Sequence, residues 1–469
     1  MNDNAGKRPL IIAFGTIAVL YALSFAPLQD YRILGVDLKP ITAPFKYELA
    51  GFTPHAAPPI IAGQQVTPDA SPVRLNPASV PVSALISTAA SAQTFSMLQT
   101  IATATGTLLI DYGSTMNMFH AAMERYRFNV AGSSTVRIAY VGDSQIEGDV
   151  ITRDLRMLLQ SEYGGQGAGF MKIVAEDAQF RSDVLQTFSD DWTVETLNRD
   201  TKEDNFWIGP VFISDAESWV HYVLQDKRVS GLDCYLIYQG DGKPHSIRVK
   251  TNKAPEKITV LGPAKGMSMA KVHDHADADL KKIKITFADA GIRTYGVFLQ
   301  DTAGIYVDNY ALRGHGGLEL ARISPEIAAQ MRQHAPYNLI ILHFGVNVAY
   351  PAASGYRLYE KGISTVIGHM RSIFPDAGIL VVSTTDRCVK DGESVVSDSC
   401  VADLMHAQQR AAERSGVAFF DLYSAMGGTG SMNEWVKKGY AVRDYTHISR
   451  RGGKQIAELI YGSLMEKRN

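Results

Sequence analysis

The chain has 469 residues, 46 of them Lys or Arg and 48 Asp or Glu, for a formal net charge of −2; hydrophobic residues make up 46% and charged residues 20%. That length allows two or three folded units and that composition a buried core, which excludes wholesale disorder. A near-neutral charge offers no broad positive field for gathering phosphates, which excludes a dedicated nucleic-acid binder, and three cysteines make neither a disulfide scaffold nor a four-cysteine zinc site.

The first element in chain order is an uncharged, mostly apolar run from Leu10 to Leu28, preceded by Lys7 and Arg8 and followed by Asp30 and Arg32. It is long enough to cross a bilayer as a helix, and the charges before it favour a cytoplasmic N-terminus with everything after the run outside. A cleaved signal peptide is the alternative, because Ser24-Phe25-Ala26 has the small-x-small form of a cleavage site. Both imply export. Residues 1–38 are therefore expected to be an anchor or signal segment. Residues 39–94 are rich in Pro, Ala, Ser and Thr, with nine prolines between Pro40 and Pro81, and are expected to form an extended linker.

Residues 95–179 and 309–469 share one texture. Short apolar runs alternate with amphipathic stretches: VRIAYVGDS before ITRDLRMLL, NLIILHFGVN before YEKGISTVIGHMRSIF, and GILVVSTT before CVADLMHAQQRAAERSG. Buried strand-like runs alternating with helices predict an α/β domain with a parallel sheet. Within residues 180–308 the helical period fades into WVHYVLQ, LDCYLIYQ, HSIRVKT, KITVLG, KIKITFA and TYGVFLQ, which predicts an inserted all-β module. Cys388 and Cys400 could close a short loop in an oxidising compartment, leaving Cys234 unpaired; three separate buried thiols are the equal alternative.

Four motifs carry chemistry. Gly142-Asp143-Ser144 ends an apolar strand and precedes a helix, the place where open α/β sheets present reactive groups; a plain helix cap is the competing role for Asp143 or Ser144. Asp444-Tyr445-Thr446-His447 precedes the last amphipathic helix, and an aspartate three residues before a histidine can hold one ring nitrogen while the other faces a serine. Asn347 follows the apolar strand 338–344 within Gly345-Val346-Asn347, where its amide could donate to an oxyanion. Gly314, Gly316 and Gly317 form a flexible loop after GIYVDNY whose N–H groups could face the same charge.

The order of these four blocks resembles the SGNH (GDSL-type) hydrolases, with Ser144, Gly314, Asn347 and His447 as the four letters and Asp444 completing the triad. The β insert between the serine and glycine blocks is similar to that of bacterial peptidoglycan O-acetylesterases and membrane-anchored peptidoglycan O-acetyltransferases, some of which carry a carbohydrate-binding-module-like insert. The resemblance implies an α/β, flavodoxin-like parallel sheet sandwiched by helices, an inserted β-sandwich and an N-terminal transmembrane helix. It implies catalysis by Ser144, Asp444 and His447, and an oxyanion hole formed by Ser144, Gly314 and Asn347, with no cofactor and no metal. The expected activity is a carbohydrate O-acetylesterase acting on an acetylated glycan, a cell-envelope or extracellular polysaccharide such as peptidoglycan. An O-acetyltransferase with a membrane O-acyltransferase partner, or a noncatalytic glycan-binding protein retaining the fold, are the alternatives. The implied location is the bacterial inner membrane, single-pass with the catalytic domain in the periplasm, or secretion after signal cleavage. One departure is Val348, where family members often carry an acidic residue.

Other features weigh less. KVHDHADAD holds His273, Asp274, His275, Asp277 and Asp279, a metal-capable set that reads better as a solvated loop. Trp192, Trp207 and Trp219 lie in or beside the insert and suit core packing or sugar stacking, while Trp435 could line the cleft.

Overall fold

The computed structural model describes residues 108–132, 134–197, 206–226, 229–350, 355–392 and 394–466, together with two short strands near the N-terminus. Residues 1–81 and 82–469 are separate units; in the first, Arg32–Ile33 pairs antiparallel with Val36–Asp37. The apolar run 10–28 and the linker 39–94 lie outside the described residues. Among the described residues, no helix is long and apolar enough to cross a membrane.

The α/β domain begins with β1 (Leu109–Asp111) and α1 (Met116–Arg127), then β2 (Thr135–Gly142) and α2 (Thr152–Tyr163). After the insert come β3 (Gly304–Ala311), α3 (Pro325–His334), β4 (Leu339–His343), α4 (Arg357–Ile373), β5 (Gly378–Val382), α5 (Cys400–Ser415) and β6 (Ala418–Phe420). Short helices α6 (Leu422–Met426) and α7 (Ser431–Lys437) precede the long α8 (Arg450–Met465). The strands lie in the order β3-β2-β4-β5-β6-β1; all neighbours are parallel except the edge strand β1, which runs antiparallel to β6. From β2 to β6 this is the flavodoxin-like 2-1-3-4-5 order that the family resemblance implies, and the parallel sheet that the residue pattern predicts.

The residue pattern explains the layering. Every residue of β4 and β5 is buried, and β2 is buried from Val136 onward, because helices cover both sheet faces. Along β2 the period-two alternation sends Ile138 and Tyr140 into one core with α1, α2 and α8, and Ala139 and Val141 into the other with α3, α4 and α5. Helix α4 shows the matching helical period, burying Ile363, Val366, Ile367, Met370 and Ile373.

Two antiparallel sheets fill the chain between α2 and β3. One has the order 265–273, 233–241, 293–300, 211–213, 193–195, with Gly169–Met171 pairing on 293–300; the other has the order 257–261, 245–251, 282–287, 219–224, 184–188. Ile247, Ile283, Ile285, Leu236, Val297 and Leu299 meet in the core that the two sheets share, which makes the module a β-sandwich. The first sheet turns Phe170, Ile237, Tyr295 and Phe298 toward the α/β core. A buried ion pair fastens β2 to β3: Arg137 Nη1 donates to Asp308 at 2.6 Å, its guanidinium lies 4.3 Å from the Phe298 ring centre, and Tyr337 Oη donates to the same carboxylate at 2.9 Å.

Candidate active site

Strand β2 delivers its last residues to the carboxyl edge of the sheet, at the point where the chain crosses to β3 on one side and β4 on the other, the crevice in which open α/β sheets hold their reactive groups. Asp143 sits there fully buried. Its Oδ1 accepts from Gln145 N–H at 3.0 Å, and its Oδ2 accepts from Gly345 N–H at 3.1 Å. The carboxylate therefore caps the turn Ser144–Asp149 and also clamps it to the loop after β4. Burial pushes Asp143 up to about 6, against the N–H groups of Gln145, Gly345 and Val346 and the nearby His447, which all favour the charged form.

Ser144 follows at the open end of this clamp, half-buried. Its Oγ lies 3.0 Å from Nε2 of His447, and Nδ1 of the same ring lies 2.7 Å from Oδ2 of Asp444. The other oxygen of Asp444 accepts from the backbone N–H of Thr446 and of His447, each at 2.9 Å, so one carboxylate shapes the turn and orients the ring. The hydrogen bond that Asp444 accepts from the His447 imidazole raises that ring above its ordinary value, although partial burial opposes this. Desolvation acts to raise Asp444, and the hydrogen bonds from His447 and Thr446 outweigh it, leaving the carboxyl below the usual range.

Two glycines at the start of α8 bring this turn to the serine. A Cβ on Gly453 would lie 2.1 Å from the Val150 carbonyl oxygen, and one on Gly452 would lie 1.9 Å from that of Tyr440. Only glycine permits such close approach of α8 to the turn following Ser144 and to the chain preceding Asp444. Gln145 adds a tie, its Nε2 donating to the Thr446 carbonyl at 2.8 Å, so the neighbour of the serine holds the neighbour of the histidine.

On the other side of Ser144, Leu312 N–H donates to the Gly142 carbonyl at 2.8 Å, and His315 N–H closes a turn on the Leu312 carbonyl at 3.2 Å. Gly314 is exposed in this turn with φ +77°, a conformation suited to glycine. Arg313 grips Glu147 with two hydrogen bonds of 2.7 Å, fastening the glycine loop to the serine turn. Asn347 meets the same loop: its Nδ2 donates to the His315 carbonyl at 3.0 Å. The structure thus brings Ser144, His447 and Asp444 into one hydrogen-bonded line, and gathers Gly314 and Asn347 on the loops beside it.

The sequence offers Asp143 only a capping role and marks none of Gln145, Glu147 and Arg313 as functional. Their partners stand far away in the chain, and no local pattern marks such pairs.

Among the described residues the one metal-capable group is Asp233, Asp274 and His275 in the sandwich. Asp233 already accepts from Tyr235 Oη, from His275 N–H and Nδ1, and lies 2.9 Å from Lys271 Nζ, so a lysine ammonium already offsets its charge. His273 instead faces the Ala278 carbonyl, and Asp277 lies near Lys257. Trp207 is buried and its indole N–H points at Tyr310 Oη, Trp192 packs edge-on against Phe287, and Lys284 lies over the ring of Trp219. Trp435 is buried with its N–H on the Met426 carbonyl, a packing role rather than a cleft lining. Cys234, Cys388 and Cys400 are all free and buried.

Residues 279–454 match the GDSL-like lipase/acylhydrolase family model. That span contains Gly314, Asn347, Asp444 and His447, whereas Ser144 lies ahead of it, across the β insert. No curated protein matches the chain in sequence. Among solved structures, a peptidoglycan O-acetylesterase aligns with TM-score 0.62 and 21% identity, covering 76% of this chain and 98% of that one. An acetyl xylan esterase (TM-score 0.26, 14% identity, 34% of this chain and 81% of that one) and a family two carbohydrate esterase from Cellvibrio japonicus (TM-score 0.19, 9% identity, 50% and 85%) are likenesses too slight to argue from. Motif order, sheet order and family match agree: residues 279–454 fit the GDSL-like lipase/acylhydrolase family, and the chain as a whole resembles the SGNH-type hydrolases, with the architecture of a peptidoglycan O-acetylesterase.

Proposed function

We propose that the chain is a serine esterase that removes O-acetyl groups from a cell-envelope polysaccharide through an acyl-enzyme. The observation that carries this reading is the unbroken line from Ser144 Oγ to His447 Nε2 and from His447 Nδ1 to Asp444, at 3.0 and 2.7 Å. In the first step Ser144 Oγ attacks the acetyl carbonyl carbon while His447 Nε2 takes the hydroxyl proton and Asp444 stabilises the resulting imidazolium. The carbonyl oxygen becomes an oxyanion, received by the N–H groups of Ser144 and Gly314 and by the Asn347 amide. Collapse returns the proton from His447 to the departing sugar oxygen. Water then repeats the sequence on the acetyl-serine, releasing acetate.

Two things support a glycan substrate: the architecture shared with a peptidoglycan O-acetylesterase, and the apolar run at residues 10–28, whose length and flanking charges suit a protein tethered at the membrane or secreted. The experiment is acetate release from p-nitrophenyl acetate and from O-acetylated peptidoglycan by the full chain, with Ser144→Ala as control. Acetate release that disappears in the variant is the expected result. An inactive wild-type chain would point instead to a glycan-binding protein, and acetyl groups appearing on an added glycan acceptor, read by mass spectrometry, would make it a transferase.

A further inference from the structure

Just after β5 the chain runs through Arg387 and Cys388 into a hairpin, Cys388–Asp391 paired with Ser394–Ser397. Arg387 is largely buried and turns back toward the loop after β4. Its Nη1 donates to the Val346 carbonyl at 3.2 Å, and its Nη2 donates to the Ala349 carbonyl and to Asp398 Oδ2. The two carbonyls lie on either side of Asn347 and Val348, so one planar guanidinium spans the tip that presents the Asn347 amide. Val348 itself has no polar group with which to support that amide. Asp398 is held in turn: its backbone N–H donates to the Arg387 carbonyl at 2.8 Å, and its Oδ1 accepts from Cys400 N–H at 3.2 Å and Sγ at 2.8 Å. The next residue reaches the opposite side of the site. Cys388 N–H donates at 3.0 Å to the carbonyl of Tyr445, which sits between Asp444 and His447 with φ +57°.

We infer that Arg387 is a positioning residue for the proposed reaction: anchored by Asp398, it fixes the loop that carries Asn347 and, through the adjoining Cys388 N–H, sets that loop's spacing from the Asp444–His447 turn. The inference rests on the esterase reading and adds to it a residue that touches no substrate. A guanidinium suits this task because its rigid fork serves two carbonyls and a carboxylate at once, whereas an ammonium is a single point that cannot match that planar set.

The test uses the full chain and the variants Arg387→Ala, Arg387→Lys, Asn347→Ala and the Ala/Ala double variant, with p-nitrophenyl acetate as substrate. Displacement of a reacting or stabilising group by about 1 Å costs on the order of 100-fold. Arg387→Ala should therefore lower kcat roughly 10- to 100-fold with KM within about twofold, and Arg387→Lys should fall between it and wild type. In the Asn347→Ala background the Arg387→Ala change should cost less than about threefold more, because both act through the same amide. Hydrogen exchange of amides 344–350 should accelerate in Arg387→Ala. Wild-type kcat in Arg387→Ala, fully multiplicative losses, or unchanged exchange across 344–350 would each overturn the inference. An inactive wild-type chain would refute the esterase reading, and the exchange measurement would still decide whether Arg387 holds the loop.

Discussion

Replacing Asp444 tests how much the third member of the line contributes when it is half open to solvent. Its side chain is 45% exposed and that of His447 43%, with 2.7 Å between Oδ2 and Nδ1. When Ser144 gives up its proton the ring becomes an imidazolium, and a carboxylate at that distance stabilises it by about 1.5 kcal/mol at a dielectric of ~80 and about 3 kcal/mol at ~40. The solvated end of that range is the appropriate one, because exposed pairs are screened. Asp444→Ala should thus lower kcat by roughly 10-fold, at about 1.4 kcal/mol per decade, well short of the ~10⁴ typical of a fully buried triad aspartate. Asp444→Asn should be at least as damaging. An amide NH₂ facing Nδ1 favours the tautomer with the proton on Nε2, the atom that must accept from Ser144. The pH profile supplies a second measure. Asp444 raises the His447 imidazole, and catalysis needs that ring neutral, so wild-type activity should fall on acidification through a midpoint above the ordinary imidazole value. Removing the carboxylate should move that midpoint to lower pH. The assay is kcat and kcat/KM for an activated acetyl ester between about pH 5 and 9, a range chosen to bracket the histidine titration. Asp444→Ala activity within threefold of wild type, with the acid limb unmoved, would remove Asp444 from the mechanism.

Asn347→Ala should reduce turnover roughly 10²–10³-fold with little change in melting temperature, the signature of a lost oxyanion donor on an exposed side chain. Gly453→Ala should force α8 off the Val150 carbonyl, destabilise the chain by about 1–3 kcal/mol in urea unfolding and sharply lower esterase turnover. Asp308→Ala strands the buried Arg137 charge and should cost about 3–5 kcal/mol in the same unfolding measurement while Asp308→Asn costs less. A thiol reagent should titrate Cys234, Cys388 and Cys400 only after denaturation, and a reductant should leave the melting temperature unchanged; a thiol count of one in the unfolded, unreduced protein would show a Cys388–Cys400 bond.

The alternation of apolar runs and amphipathic stretches was enough to specify a parallel sheet with helices on both faces, since a strand buried on both sides must be apolar throughout, as β4 and β5 are. Ser144, Asp444 and His447 were legible because each sits at a punctuation point: the end of an apolar run for the serine, the turn before the last helix for the pair. Asp444 and His447 are also three residues apart, so their contact is largely a local matter. What only the tertiary structure decided is how the two halves meet. Asp143 reaches Gly345 and Gln145 reaches Thr446 across the fold, and Arg387 spans the carbonyls beside Asn347. Such bonds form between groups brought together by strand order and helix packing, and a hydrogen bond of that kind leaves no periodicity in the chain. The same holds for Trp435, which buries its indole against Met426 once α7 has docked, and for Gly453, whose missing side chain has meaning only against the Val150 carbonyl. Residue type and order determined which chemistry the chain can perform; the packing of α8 and of the loops after β4 and β5 determined that the groups stand close enough to perform it.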